Sequence, residues 1–193
     1  MLVLDKDGMV QDPRVRAARQ STIERGDMAK VNGIIVHQTG GSTAASSLSS
    51  YKNAGASGAH FLIDRDGAVY QTASMYKKTW HVGKLKARCV VEQRCTPVEL
   101  AALKKFNPAA EHKQESAKPA PSRYPSNDDS IGIELVGKVL ANGVYEAVTS
   151  DQNSSVAWLV SEIQKTLRVP VTEVFRYPDV SRKNPSEAQT ATW

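Results

Sequence analysis

The fold class this sequence predicts is α/β: one domain with a central mixed β-sheet flanked by helices. Two apolar runs, VNGIIVHQTGG (31–41) and DSIGIELVG (129–137), read as buried strands. Helical patterns interleave with them along the chain. A hairpin signal between them makes the sheet mixed rather than purely parallel.

Each element has its own signal. The first strand runs to His37, and Gly40 and Gly41 then turn the chain. Ser42 or Thr43 is placed to cap a helix over AASSLSSYKNAG, ended by Gly55. AHFLIDRDGAVYQTAS puts β-rich arms on both sides of Asp66-Gly67, a hairpin. TWHVGK is a short extended piece or loop. TPVELAALKKF is a helix with Thr96 as cap and Glu99 completing a capping box.

Residues 107–127 are polar and rich in proline, lysine and serine, and read as an exposed loop. After the second strand, Val156, Leu159, Val160, Ile163 and Leu167 recur at helical spacing. TEVFRY is the last short strand. The expected organisation is therefore a single domain over 1–193, with an N-terminal extension 1–29 and an insertion at about 84–127.

At 193 residues, 40% hydrophobic and 23% charged, the chain can bury a full core. No apolar run approaches the roughly 20 residues that span a bilayer. The start, MLVLDKDGMVQDPRV, has early acidic residues and no apolar h-region. The expectation is synthesis in the cytoplasm without a cleaved signal. A net charge of +5 suits anionic polymers: nucleic acid, acidic membrane or bacterial wall. No zinc-finger spacing, Walker motif or arginine-rich helix favours nucleic acid. Cys89 and Cys95, six apart, either close a small disulfide suited to an oxidising destination or remain thiols.

Four places could carry chemistry. His37 ends a buried strand beside a glycine-bearing loop, where a side chain projects into a cleft or is held by structural hydrogen bonds. Glu134 lies inside an apolar strand, so it is an ion-pair partner or a base with a raised pKa. Trp80 could stack on a sugar or peptide while His81 donates a hydrogen bond. The stretch FRYPDVSRKNPSEA sets Tyr177, Lys183 and Glu187 on one segment stiffened by Pro178 and Pro185. His60, at a strand start, reads as structural, and His112 as exposed.

Taken in order, GIIVHQTGG, GAHFLIDRDGAVYQ, TWHVGK, SIGIELVG and RYPDVSRKNPSEA resemble the zinc N-acetylmuramoyl-L-alanine amidases of the type 2 superfamily. That superfamily includes muropeptide-recycling amidases, phage lysozyme-type amidases and peptidoglycan recognition proteins. The resemblance spans about residues 30–190. It implies hydrolysis of the amide between N-acetylmuramic acid and L-alanine, with Zn²⁺ on three side chains and water in the fourth position.

On that resemblance His37, Tyr177 and Glu187 take the metal positions. Glu134 handles the proton of the water, Lys183 steadies developing negative charge, and Trp80 and His81 face substrate. Tyr177 departs from the pattern, because a histidine is expected there and a phenol must lose its proton before it ligates. Three accounts follow: an altered zinc site, an inactive or engineered variant of an active enzyme, or a wall-binding protein without catalysis. The second is favoured, since Glu134 and Lys183 are both in place. A cytoplasmic muropeptide-recycling amidase, a phage lysin or a toxin delivered into rival cells would each reconcile a periplasmic substrate with the missing signal. The basic surface, the possible disulfide and the extra loop favour the last: the chain is further similar to amidases of the type VI secretion kind, which implies peptidoglycan or muropeptides as substrate, a cognate immunity protein as partner, and action in the periplasm of target cells.

Overall fold

The computed structural model describes residues 1–193. In chain order the elements are β1 (Val15–Ala17), β2 (Glu24–Asp27), β3 (Gly33–Gly40), α1 (Ala44–Ser50), β4 (Phe61–Ile63), β5 (Val69–Gln71), β6 (Lys77–Thr79), α2 (Arg88–Val91), α3 (Pro97–Ala102), α4 (Pro108–Ser116), β7 (Ser130–Lys138), α5 (Ser150–Leu167), β8 (Val174–Arg176) and α6 (Tyr177–Val180).

Six strands form one sheet in the order β1-β5-β4-β7-β3-β8, and β2 pairs with β6 apart from it. Only the β4–β5 hairpin pair is antiparallel within the large sheet, so the sheet is mixed. Gly67 turns that hairpin at φ +81°, a conformation costly for any other residue.

The alternation of strand side chains builds two layers. From β3 and β7, Ile34, Val36, Ile131, Ile133 and Leu135 face α5 and meet Val156, Leu159, Val160 and Ile163 in the main core. Thr149 caps α5 in a capping box with Gln152. The opposite face carries Ile35, which packs with Val82, Leu85, Tyr124, Tyr177 and Val180. His37 and Glu134 alternate onto this second face. No helix is long and apolar enough to cross a membrane.

Several boundaries differ from expectation. β3 continues past His37 to Gly40, because Gln38 and the residues after it still pair with β7. The first helix stops at Ser50, short of Gly55. The stretch 107–127 is not all loop: α4 lies within it, capped by Asn107 with Pro108 in its first turn. Leu2, Val10 and Met28 of the N-terminal stretch enter the main core, and β1 extends the sheet.

Residues 84–127 are tied down by charge. Arg88 makes a two-pronged pair with Glu173 at 2.8 and 2.9 Å, and Arg123 pairs with Asp129 at 2.9 Å. A Cys89–Cys95 disulfide closes the loop after α2.

Candidate active site

The parallel register of β3 and β7 sets His37 directly opposite Glu134. Both project from the face away from α5, into a cleft of about 510 Å³. The segment after β8 folds over that cleft and brings Tyr177, Lys183 and Glu187 to it. Trp80 and His81 arrive from the loop after β6. All seven sequence-predicted residues therefore line one cavity.

A hydrogen-bond chain fixes the tautomer of His37. The Ser130 hydroxyl donates to the Ser126 carbonyl, so its oxygen accepts from His81 Nε2–H at 3.2 Å. His81 Nδ1 is then an acceptor, and it takes the His37 Nε2–H at 3.0 Å. His37 Nδ1 is left with its lone pair 3.8 Å from Glu187 Oε1. Burial first, and the charge of Lys183 second, pull the His37 pKa down to about 3, so the ring is neutral. Both nitrogens of His81 are engaged, which makes it the holder of His37 and leaves it none for a substrate. Gly132 permits this arrangement, because a Cβ there would stand 2.7 Å from His81 Nδ1.

The two carboxylates are held towards their neutral forms. Glu134 is pushed up to about 8 by burial and by Glu187, and its Oε2 is buried without a hydrogen-bond partner. Glu187 is raised to about 7 by burial, against the Gln38 N–H, which it accepts at 3.3 Å, and Lys183.

Tyr177 is a strut. Its hydroxyl accepts the Gly83 N–H at 2.8 Å, its ring lies 4.3 Å from that of His37, and Lys183 Nζ stands 5.2 Å from the ring centre. Trp80 is exposed and stacks beneath the Arg25 guanidinium at 4.0 Å.

Tyr145, which no motif announces, also lines the cleft. Burial, then Glu187 and Glu134, raise it to about 12. Its backbone N–H donates to Ser186 Oγ at 3.0 Å, and Asn184 Nδ2 donates to the Gly143 carbonyl at 2.7 Å. These bonds join residues 139–146, a turn closed by the Val139–Tyr145 bridge, to the loop bearing Lys183 and Glu187. Ser130 was likewise missed, since a strand-initial serine carries no motif.

Residues 27–186 match the family described as N-acetylmuramoyl-L-alanine amidase. The chain belongs to that family. No curated protein matches it. Among solved structures, the amidase-family chain is similar to a selenomethionine AmpD derivative at 19% identity, covering 96% of this chain and 94% of that one, with a TM-score of 0.60. It is also similar to the catalytic domain of XlyA at 16% identity, 88% and 87% coverage and TM-score 0.55. A third is the N-acetylmuramoyl-L-alanine amidase LysC from Clostridium intestinale, at 15%, 89% and 87%, with TM-score 0.50. At such identities these likenesses establish the shared fold.

Zinc is typical of this amidase family, and the donor set tests whether it fits here. His37 Nδ1 and Glu187 Oε1 stand close enough to share an ion. A three-ligand site needs another donor, and no three His, Cys, Asp or Glu side chains are placed to hold one ion together. The remaining position holds the Tyr177 phenol, already engaged with Gly83. His37, Tyr177 and Glu187 are together as expected, yet they do not amount to the expected Zn²⁺ site.

Proposed function

We propose that this chain is a peptidoglycan amidase directed at the amide between N-acetylmuramic acid and L-alanine, with its hydrolytic step impaired by Tyr177. The observation that carries this reading is the unpartnered, buried Glu134 Oε2 facing His37 and Glu187 in a cleft of this family.

Once ionised, Glu134 takes a proton from the attacking water and returns it to the leaving amine. Lys183 sits where its ammonium offsets charge growing on the carbonyl oxygen. Trp80 offers a flat apolar surface to the sugar or the stem peptide. His81 and Ser130 hold His37, and Tyr177 fixes the Gly83 loop that forms one wall.

The disulfide, the basic insertion and the cell-wall substrate together support action outside the cytoplasm. We assign the protein to the antibacterial effectors delivered by a specialised route such as type VI secretion, with an immunity protein in the producing cell.

The test compares this chain with Tyr177→His for zinc content by mass spectrometry and for turnover of a purified muropeptide. Imidazole supplies the missing third donor without first having to lose a proton, so zinc retention and turnover should rise together by orders of magnitude. Equal zinc and equal turnover in the two proteins would make Tyr177 a competent ligand and end the impairment reading. Muropeptide binding without turnover in either protein would assign the cleft to recognition alone.

A further inference from the structure

The net charge of the molecule is confined to its insertion. Residues 84–127 contain nine Lys and Arg against four Glu and no Asp, which is +5, the formal charge of the whole chain. Everything outside that stretch is balanced.

The four acids are already paired. Glu92 meets Arg88 and Arg94, Glu99 and Glu115 share Lys118, and Glu111 holds Arg182. Lys104, Lys105 and Lys113 are exposed and have no carboxylate partner.

The same surface is apolar to an unusual degree. Val98 is 79% exposed, Phe106 80% and Leu100 51%. Val90, Leu103 and Phe106 line a groove of about 240 Å³ with Lys105 and Arg182 on its rim. These side chains are held out from the body by a braced scaffold: the Cys89–Cys95 bond, the capping box of α3 and the Arg88–Glu173 pair. Apolar area gathered beside unpaired charge of one sign marks a contact surface.

We propose that this face docks an acidic segment of another protein. That segment inserts an apolar side chain into the groove at Val90, Leu103 and Phe106, and its carboxylates meet Lys104, Lys105 and Lys113. Charge complementarity sets the sign of the partner, and the groove sets its class. A plain polyanion would engage the lysines and leave the groove wet. A bilayer surface would take up Val98, Leu100 and Phe106 but leave the groove unfilled, and vesicle binding is the outcome that separates the two. The inference does not depend on whether the cleft hydrolyses anything.

The test uses a displayed library of short acidic amphipathic peptides, with polyglutamate and phosphatidylglycerol vesicles as separate probes, all at physiological salt. Selected peptides should carry an apolar stripe among their acids. Their binding should fall about tenfold or more with Phe106→Ser and again with Lys104→Glu/Lys105→Glu, at unchanged melting temperature. Exchange protection should appear in residues 88–114. No selected binder, equal binding by polyglutamate, or binding to vesicles alone would each overturn the proposal.

Discussion

Glu134 owes its proton to the strand that carries it. β7 is apolar on both sides of this residue, and beyond burial the group that pushes it up is another carboxylate, Glu187. The ordinary value for glutamate is 4.5, and here it is about 8. Between those values the folded state keeps a proton that the unfolded chain has lost. Stability therefore falls as pH rises through that window. Glu134→Gln removes the ionisable group and keeps the shape. The variant should melt above the parent at pH 8, with the gap closing below pH 4, as followed by thermal unfolding across pH. In the Tyr177→His background, where metal no longer limits, the same change should cut muropeptide turnover about 10²–10⁴-fold at unchanged zinc content. Near-normal turnover would place the base elsewhere. Much of this site was legible, because His37 and Glu134 are polar residues inside apolar strands and must be explained. The role of His81 was not legible: its link to His37 depends on Ser130 and on the bare Cα of Gly132, and register across strands is invisible in one chain.

Among the elements, those with an apolar stripe announced themselves and those without one did not. β3, β7 and α5 were readable because burial on one or both faces leaves a periodic apolar trace. α4 leaves none, since PAAEHKQES is polar around its whole circumference. It is held instead by side chains reaching backwards: Glu111 and Glu115 accept the backbone N–H groups of Ala87 and Arg88. The β2–β6 ribbon escaped notice for the same reason, with ERGD paired to KKT. α2 depends on Arg88, whose guanidinium is buried against Glu173. Arg88→Met leaves that carboxylate buried and alone, and should cost about 3–5 kcal/mol in denaturant unfolding. Adding Glu173→Leu should recover most of the loss, because two apolar groups leave no charge stranded. A double variant as unstable as the single one would show that packing of the arginine stem, and not the pair, is what matters.

At the scale of the molecule, a sheet packed against α5 supports the braced stretch 84–127 on its other side. The disulfide lies wholly within that stretch, six residues apart in sequence. Closing so short a loop constrains the unfolded chain little, by about 2 kcal/mol. Cys89→Ser/Cys95→Ser should therefore lower global stability by no more than that. Amide exchange should quicken across residues 88–103 while β3 and β7 keep their protection. Loss of protection in the sheet would mean that residues 84–127 are a structural member of the core. The cleft, by contrast, is assembled from distant parts of the chain. His37 and Glu134 stand on strands that can pair once residue 138 has been made, whereas Tyr177, Lys183 and Glu187 all follow β8. The core needs late residues as well, since α5, Val174, Ala188 and Ala191 all belong to it, and a domain folds as a unit. A nascent molecule thus lacks both a finished core and a finished cleft until residues 187–191 have been made, so one and the same late stretch switches on folding and chemistry.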